Sequence, residues 1–225
     1  MITSAGTPPT PLGRRLGDLL GTDRVVDDLR RYYGAGLPPG AASFTGNRFE
    51  HLAGGGDRPG TADVITAEDL IAVETLSVVV PVRVKLDLLE GALGARLAAL
   101  LGAIPADVDL ADADASVVAD GSPAEKAWHL LESRPGLGWV TAGKILARKR
   151  PRLLPVYDTV VRCALGRPRP FWRTLRTALR EDDAALHRRL LDLRRTAGLP
   201  ETVSALRVCD VAVWMGHRAL HHDCH

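Results

Sequence analysis

The stretch RPGLGWVTAGKILARKRPRLLPVYDTVV, residues 134–161, decides how this chain is read: it sets two glycines in a short turn beside a helical pattern, a run of bases and one solitary acid, Asp158. Pro135-Gly136-Leu137-Gly138 interrupts the helical spacing and Trp139 to Lys149 resumes it. The local expectation is therefore helix, four-residue hairpin, helix. Glycine permits backbone conformations and close approach that a side chain would block, while a helix opens with unpaired N–H groups and a partial positive dipole. Such a start suits a phosphate. Gly136, Gly138, Thr141 and Lys144 are expected to hold a nucleic-acid strand, and Arg148, Lys149 and Arg150 to extend that contact.

Outward from this centre the chain reads as helix almost throughout. Ser122, Pro123 and Glu125 supply N-cap, N1 and N3 for a helix through SPAEKAWHLLES. Upstream, the leucines from Leu86 to Leu101 suit one helix with a broad buried face, and VVVPV at 78–82 is either a short extended piece or a helix end. TAEDLIAVETLSV opens with Thr66 as N-cap and Asp69 three positions on, an acidic variant of the capping box. Residues 34–64 are a Gly- and Pro-rich loop that nevertheless contains FTGNRFEHL, and LGDLLGTDRVVDDLRRYYGAG reads as one or two helices ending at glycine. Downstream, helices are expected at 158–165, 171–180, 182–197 and 203–219. With no repeat and no alternation of strand with helix, the fold class is all-α. The expected organisation is a flexible tail at 1–13, one helical domain at 14–219 with its helix-hairpin-helix core at about 122–166, and a tail at 220–225.

The net charge of +2 hides a segregation. Trp139 to Arg180 carries eleven Lys or Arg and the single acid Asp158, a balance of +10, leaving 18 basic and 26 acidic residues elsewhere. A basic segment on an otherwise acidic chain is the footprint expected for a polyanion. The alternative is that these bases pair with acids of other helices. No apolar run approaches the roughly 20 residues that span a bilayer, and the start, MITSAGTPPTPLGRR, lacks a signal-peptide core. A cytoplasmic protein without membrane contact is the expectation. Cys163, Cys209 and Cys224 form no CxxC pair, so reduced thiols are expected.

PGLGWVTAGKIL resembles the hairpin and following helix of the helix-hairpin-helix DNA glycosylases, and VYDTVV resembles the segment in which that family places an essential aspartate at a helix start. Asp158 falls twenty residues after Gly138, where the family would have it. The similarity covers about 30 of 225 residues. It implies a glycosylase-like helical fold, double-stranded DNA as partner, and Asp158 as the catalytic carboxylate: an ionised acid stabilises the positive charge that develops on a sugar as its bond to the base breaks. Neighbouring cations would keep it ionised. The other reading of Asp158 is an N-cap for TVVRCAL, which typically contributes about 1 kcal/mol. Bifunctional family members carry a Schiff-base lysine where this chain has Val140, so the resemblance implies a monofunctional enzyme using water. The family's iron–sulfur cysteine cluster is missing too, and no cofactor is implied. FTGNRFE and GWVTAGK also resemble segments of an uncharacterised bacterial family.

A glycosylase must extract its base and hold it against aromatic surface. Trp139 and Tyr157 are the candidates for that pocket, and Asn47 and Arg48 for a wedge or pocket lining; Trp128, Trp172 and Trp214 have apolar neighbours and are expected in the core. His217 and His221, four apart and beside His222, Asp223, Cys224 and His225, invite a metal, but no second ligand cluster lies upstream and none is expected. The alternative function is a helix-hairpin-helix nucleic-acid-binding module that performs no chemistry.

Overall fold

The computed structural model describes residues 9–36, 38 and 44–220. Residues 1–8 and 221–225, which include most of both expected tails and His221, His222, Asp223, Cys224 and His225, lie outside the described residues. Among the described residues the regular structure is helical: α1 (Pro11–Leu20), α2 (Val25–Tyr33), α3 (Ala67–Glu74), α4 (Val82–Glu90), α5 (Ala92–Leu101), α6 (Pro123–Glu132), α7 (Trp139–Lys149), α8 (Thr159–Ala164), α9 (Phe171–Thr196) and α10 (Ala205–His217), with 3-10 turns at 45–48, 52–54 and 115–118. None is long and apolar enough to cross a membrane.

The helix boundaries follow local chemistry. Thr66 Oγ1 accepts from the Asp69 N–H while Asp69 reaches back to the Thr66 N–H, closing the box expected from the sequence. Ser122 caps α6 and Ser204 caps α10 in the same way. α1 starts at Pro11 instead of after residue 13, because Thr10 caps it with Pro11 at the first helical position. The leucine-rich stretch from 86 to 101 forms two helices, not one. At Gly91 the backbone turns so sharply that a Cβ would lie 2.2 Å from Asp87 Oδ1, and that same oxygen accepts the Leu93 N–H at 3.0 Å. α9 breaks at 181–184, where Asp182, Asp183 and Ala184 take left-handed conformations, so its two arms match the two helices read from the sequence. Cys163 is disulfide-bonded, contrary to the expectation of reduced thiols, since cysteine spacing alone does not reveal pairing; Cys209 in α10 is a buried free thiol.

α10 lies at the centre. Ten of its thirteen residues are buried, as befits a helix apolar nearly all round, and it packs against α1, α2, α8 and α9. α3 and α6 pack on α7, and α5 joins α4 to α6. One cluster of buried side chains runs through both groups, from Leu12 and Leu29 to Leu146, Leu153, Val208 and Val213.

Two groups of buried charge interrupt this core. In the first, Arg148, Lys149 and Arg150 are 1%, 0% and 1% exposed. Arg148 Nε and Lys149 Nζ hold the two oxygens of buried Asp69 at 2.9 and 2.8 Å. The remaining donors go to backbone carbonyls: Arg148 to Phe49, Glu50 and Leu52, Lys149 to Thr61, Arg150 to Ala62, Leu101 and Ile104. Arg150 also pairs with Asp63. These bases pin the 49–66 segment and the end of α5 to the C-terminus of α7. Gly56 passes so close that a Cβ would meet the Arg148 carbonyl oxygen at 2.1 Å.

Removing one partner of a buried ion pair leaves an uncompensated charge and costs about 3–5 kcal/mol. Lys149→Met and Asp69→Ala should each lower unfolding free energy by about that amount in urea titrations. Arg14→Ala, on an exposed side chain of α1, should shift it by less than about 0.5 kcal/mol.

Candidate functional site

The turn at 134–138 joins α6 to α7 as the sequence predicts. Gly136 has φ +78°, and a Cβ there would press on Pro81 at 3.0 Å, so both conformation and packing call for glycine. Gly136 and Gly138 are exposed; Leu137 between them is buried. Gly138 caps α7 without a side chain to occupy the first N–H groups. Thr141 is buried.

The cations assigned to a DNA strand face elsewhere. Arg148, Lys149 and Arg150 cannot reach an external phosphate, because Asp69, Asp63 and the carbonyls described above consume their donors within the core. Lys144 is buried as well: its Nζ donates to the Leu76 carbonyl at 2.8 Å and stands 3.9 Å from Asp158 Oδ2. For this stretch the alternative weighed from the sequence holds, bases paired with acids of other elements. Charge along the chain does not reveal which way a helix faces: Val140, Lys144 and Arg148 are successive positions on one inward face of α7.

Asp158 caps α8, its Oδ1 accepting the Val161 N–H at 3.0 Å. With its side chain 17% exposed, it lines a cavity of about 360 Å³ at the seam between the α7 group and α10, together with Lys144, Tyr32, Trp214, Arg207 and Asp210. This volume falls near the lower end of the roughly 300–1,000 Å³ typical of ligand sites. The two loops that close it, around Thr45 and Thr75, are tied by a hydrogen bond from Thr45 Oγ1 to the Thr75 carbonyl at 2.9 Å. Gly46 belongs to this wall because a Cβ would fall 2.1 Å from Tyr32 Oη.

The aromatic surface beside Asp158 is not the one the sequence suggested. Tyr32 stacks on Phe44 at 5.3 Å, and Trp214 meets both edge-on. Trp139 and Tyr157 instead line a second hollow of about 770 Å³ with Phe171, Trp172, Arg162 and Arg169. There Tyr157 stacks on Phe171 at 3.7 Å and Arg162 lies over Trp139. Asn47 and Arg48 line neither hollow, although Phe44, Thr45 and Gly46 of the same motif line the first. Adjacent residues thus part company: Trp139 and Tyr157 turn to the second hollow, Val140 and Asp158 to the first.

The second group of buried charge lies at the back of the first cavity. Arg207 donates to Asp210 Oδ2 at 2.7 Å, to Tyr32 Oη at 2.6 Å and to the Gly46 carbonyl at 3.2 Å, and pairs with Glu50 through its Nε. Burial pushes Asp210 up to about 7 and Tyr32 up to about 12, and raises Glu50, in each case against the pull of Arg207. Burial also lowers Lys144, with Asp158 opposing. Arg207, Asp210 and Glu50 escape a search for exposed motifs. The available signal was two ionisable residues inside ALRVCDVAVWM, an otherwise almost wholly apolar stretch.

A metal is a separate question. Asp109, Asp112 and His187 present ligand atoms within 4.8 Å of one another, but Asp109 already holds Arg152 at 2.8 Å, a cation where an ion would sit.

Among the described residues the protein is helical throughout its regular structure, with a small cavity built from aromatic rings and buried acids and bases. The chain belongs to DUF6308, a family of unknown function, whose model matches residues 25–217 and so takes in the cavity from Tyr32 to Trp214. No curated protein and no solved structure matches the chain.

Asp210 gives a stability signature. Its folded pKa lies above its unfolded value near 3.8, so the folded state holds the extra proton and its contribution is lost as pH rises through about 7. The stability difference between wild type and Asp210→Asn should therefore shift against wild type from pH 4 to pH 7 and level off above, as measured by urea unfolding across that range.

Proposed function

We propose that the protein hydrolyses the N-glycosidic bond of a nucleotide in DNA, with Asp158 as the carboxylate that stabilises the sugar cation. The observation that carries this reading is the position of Asp158, which caps a helix, opens into an aromatic cavity and lies a few ångströms from a buried lysine. α6, the 134–138 turn and α7 act as a helix-hairpin-helix, holding a phosphate on the open N–H groups at the start of α7. Trp139 and Tyr157 line one hollow and their chain neighbours Val140 and Asp158 the other, so a strand gripped beside them presents a flipped nucleotide to the first cavity. Arg162, Arg169 and Arg173 of the second hollow are the cations that face neighbouring phosphates, replacing the buried run at 148–150. Phe44 and Trp214 are the aromatic lining that meets the base, with buried Tyr32 supporting Phe44 from behind by stacking.

The chemistry asked of Asp158 is electrostatic. Its Oδ1 is fixed by the Val161 N–H, which leaves Oδ2 to face the sugar, and Lys144 orients that oxygen from the other side. Val140 occupies the position where the bifunctional enzymes that the hairpin resembles carry an imine-forming lysine, so on this reading water is the nucleophile.

The second reading is a nucleic-acid-binding module without chemistry, favoured by the fact that Asp158 already has a structural task as the N-cap of α8. Asp158→Asn separates the two, since asparagine caps a helix as well as aspartate but carries no charge. Incubated with duplex oligonucleotides bearing damaged or deaminated bases, wild type should release free base and Asp158→Asn should release at least about 100-fold less, with DNA affinity unchanged and a cooperative unfolding transition retained. Salt-sensitive binding by both proteins with base release by neither would favour the module. Absence of salt-sensitive binding would remove both.

A further inference from the structure

Behind Asp158 the same cavity holds a second carboxylate on a different element. Asp210 sits in the middle of α10 and is 4% exposed. Its Oδ2 is held by Arg207 at 2.7 Å, while Oδ1 is buried without a hydrogen-bond partner although the residue lines the cavity. A buried carboxylate oxygen with no donor is expensive unless it carries a proton or meets one from a ligand. The ionisable groups around it come from every adjoining element: Arg207 one turn earlier on α10, Glu50 from the turn after 45–48, Tyr32 and Tyr33 from α2, Lys144 from α7, and Asp158 at the start of α8.

We propose that Asp210 is the general acid of this site, delivering a proton from Oδ1 to the departing base while Asp158 faces the sugar. This rests on the glycosidic reading and goes beyond it, because a single carboxylate would release only bases that can leave as they are. Two acids divide such labour when their surroundings differ. Asp158 accepts a backbone N–H and has a lysine beside it; Asp210 is buried deeper, with the negative charges of Glu50 and Asp158 facing it. Burial and those two acids push Asp210 up to about 7, against the pull of Arg207, so both its protonation states are accessible near neutrality. In the step itself the C–N bond breaks, its electron pair stays on the base nitrogen, and the Asp210 proton neutralises the base. Water then adds to the sugar cation, and the proton it loses restores Asp210.

The test compares leaving groups. A base already cationic, such as N7-methylguanine, departs without a proton, whereas neutral uracil, hypoxanthine or adenine benefits from one. With duplex oligonucleotides of one sequence carrying each base, Asp210→Asn should lower release of neutral bases by about 100-fold or more while changing N7-methylguanine release by less than about threefold. Asparagine keeps an oxygen for Arg207, and melting temperature checks the fold. Wild type supplies an independent reading: its rate on neutral bases should fall tenfold per pH unit above about 7 while its rate on N7-methylguanine does not. Equal losses on both base classes, or parallel pH profiles, overturn the acid role and leave the glycosidic reading standing. Release of cationic bases alone by wild type also overturns it. No release of any base by wild type overturns the glycosidic reading itself.

Discussion

The structure depends on one arrangement: Asp69, buried at the start of α3, shared between Arg148 and Lys149 at the end of α7. Taking three charges out of water is unfavourable unless each finds partners of good geometry. The partners here are unusual in kind, because most are main-chain carbonyls of a segment with little regular structure of its own. A Gly-rich loop has unsatisfied backbone acceptors and few apolar side chains to hold it down. The bases of α7 supply both the donors and the anchorage. They fix where residues 49–66 run, and so also where the preceding FTG turn lies against the cavity.

Arg207 repeats the principle from α10, on the neighbouring residues of the same loop. It reaches Glu50 and Gly46 from one loop, Tyr32 from α2 and Asp210 on its own helix, and its guanidinium lies over the Tyr32 and Phe49 rings. Glu50 follows Phe49, whose carbonyl is held by Arg148, so the two charged groups grip the loop at consecutive residues. A wall clamped in this way keeps its shape when solvent is displaced from the cavity. Rigidity of that sort is what electrostatic preorganisation requires.

Helix content was legible from the sequence because caps and apolar spacing act locally. Thr66 with Asp69, Ser122 with Pro123, and the glycine after Tyr33 all mark boundaries where the structure places them. The break at Gly91 was not legible, since it depends on Asp87 capping the following helix across the turn. Asp158 could be found because an N-cap and a solitary acid leave a linear trace. The rest of the site could not, because Tyr32, Lys144, Arg207 and Asp210 come from three helices and meet only through tertiary packing. The basic run misled for a related reason. Linear charge density does not say which way a helix turns, and Arg148 to Arg150 are the last residues of α7 and its C-cap, where cations also complement the helix dipole.

Deep burial of opposite charges around a small cavity also bears on what the cavity can bind. Lys144, Arg207, Asp158, Asp210 and Glu50 are close to balanced in sign, so the site presents no net field that would draw in a free anion. What it does present is direction: Lys144 beside Asp158 and Arg207 beside Asp210 are held in fixed positions, at reduced dielectric, beside three aromatic rings. Under the proposed function, such a site suits a ligand that is flat and nearly neutral on entry and develops separated charge as it reacts. A nucleoside losing its base has that form, with positive charge growing on the sugar and negative charge on the departing ring. A free phosphate does not, and Arg148, Lys149 and Arg150 are turned into the core, where they hold the backbone instead.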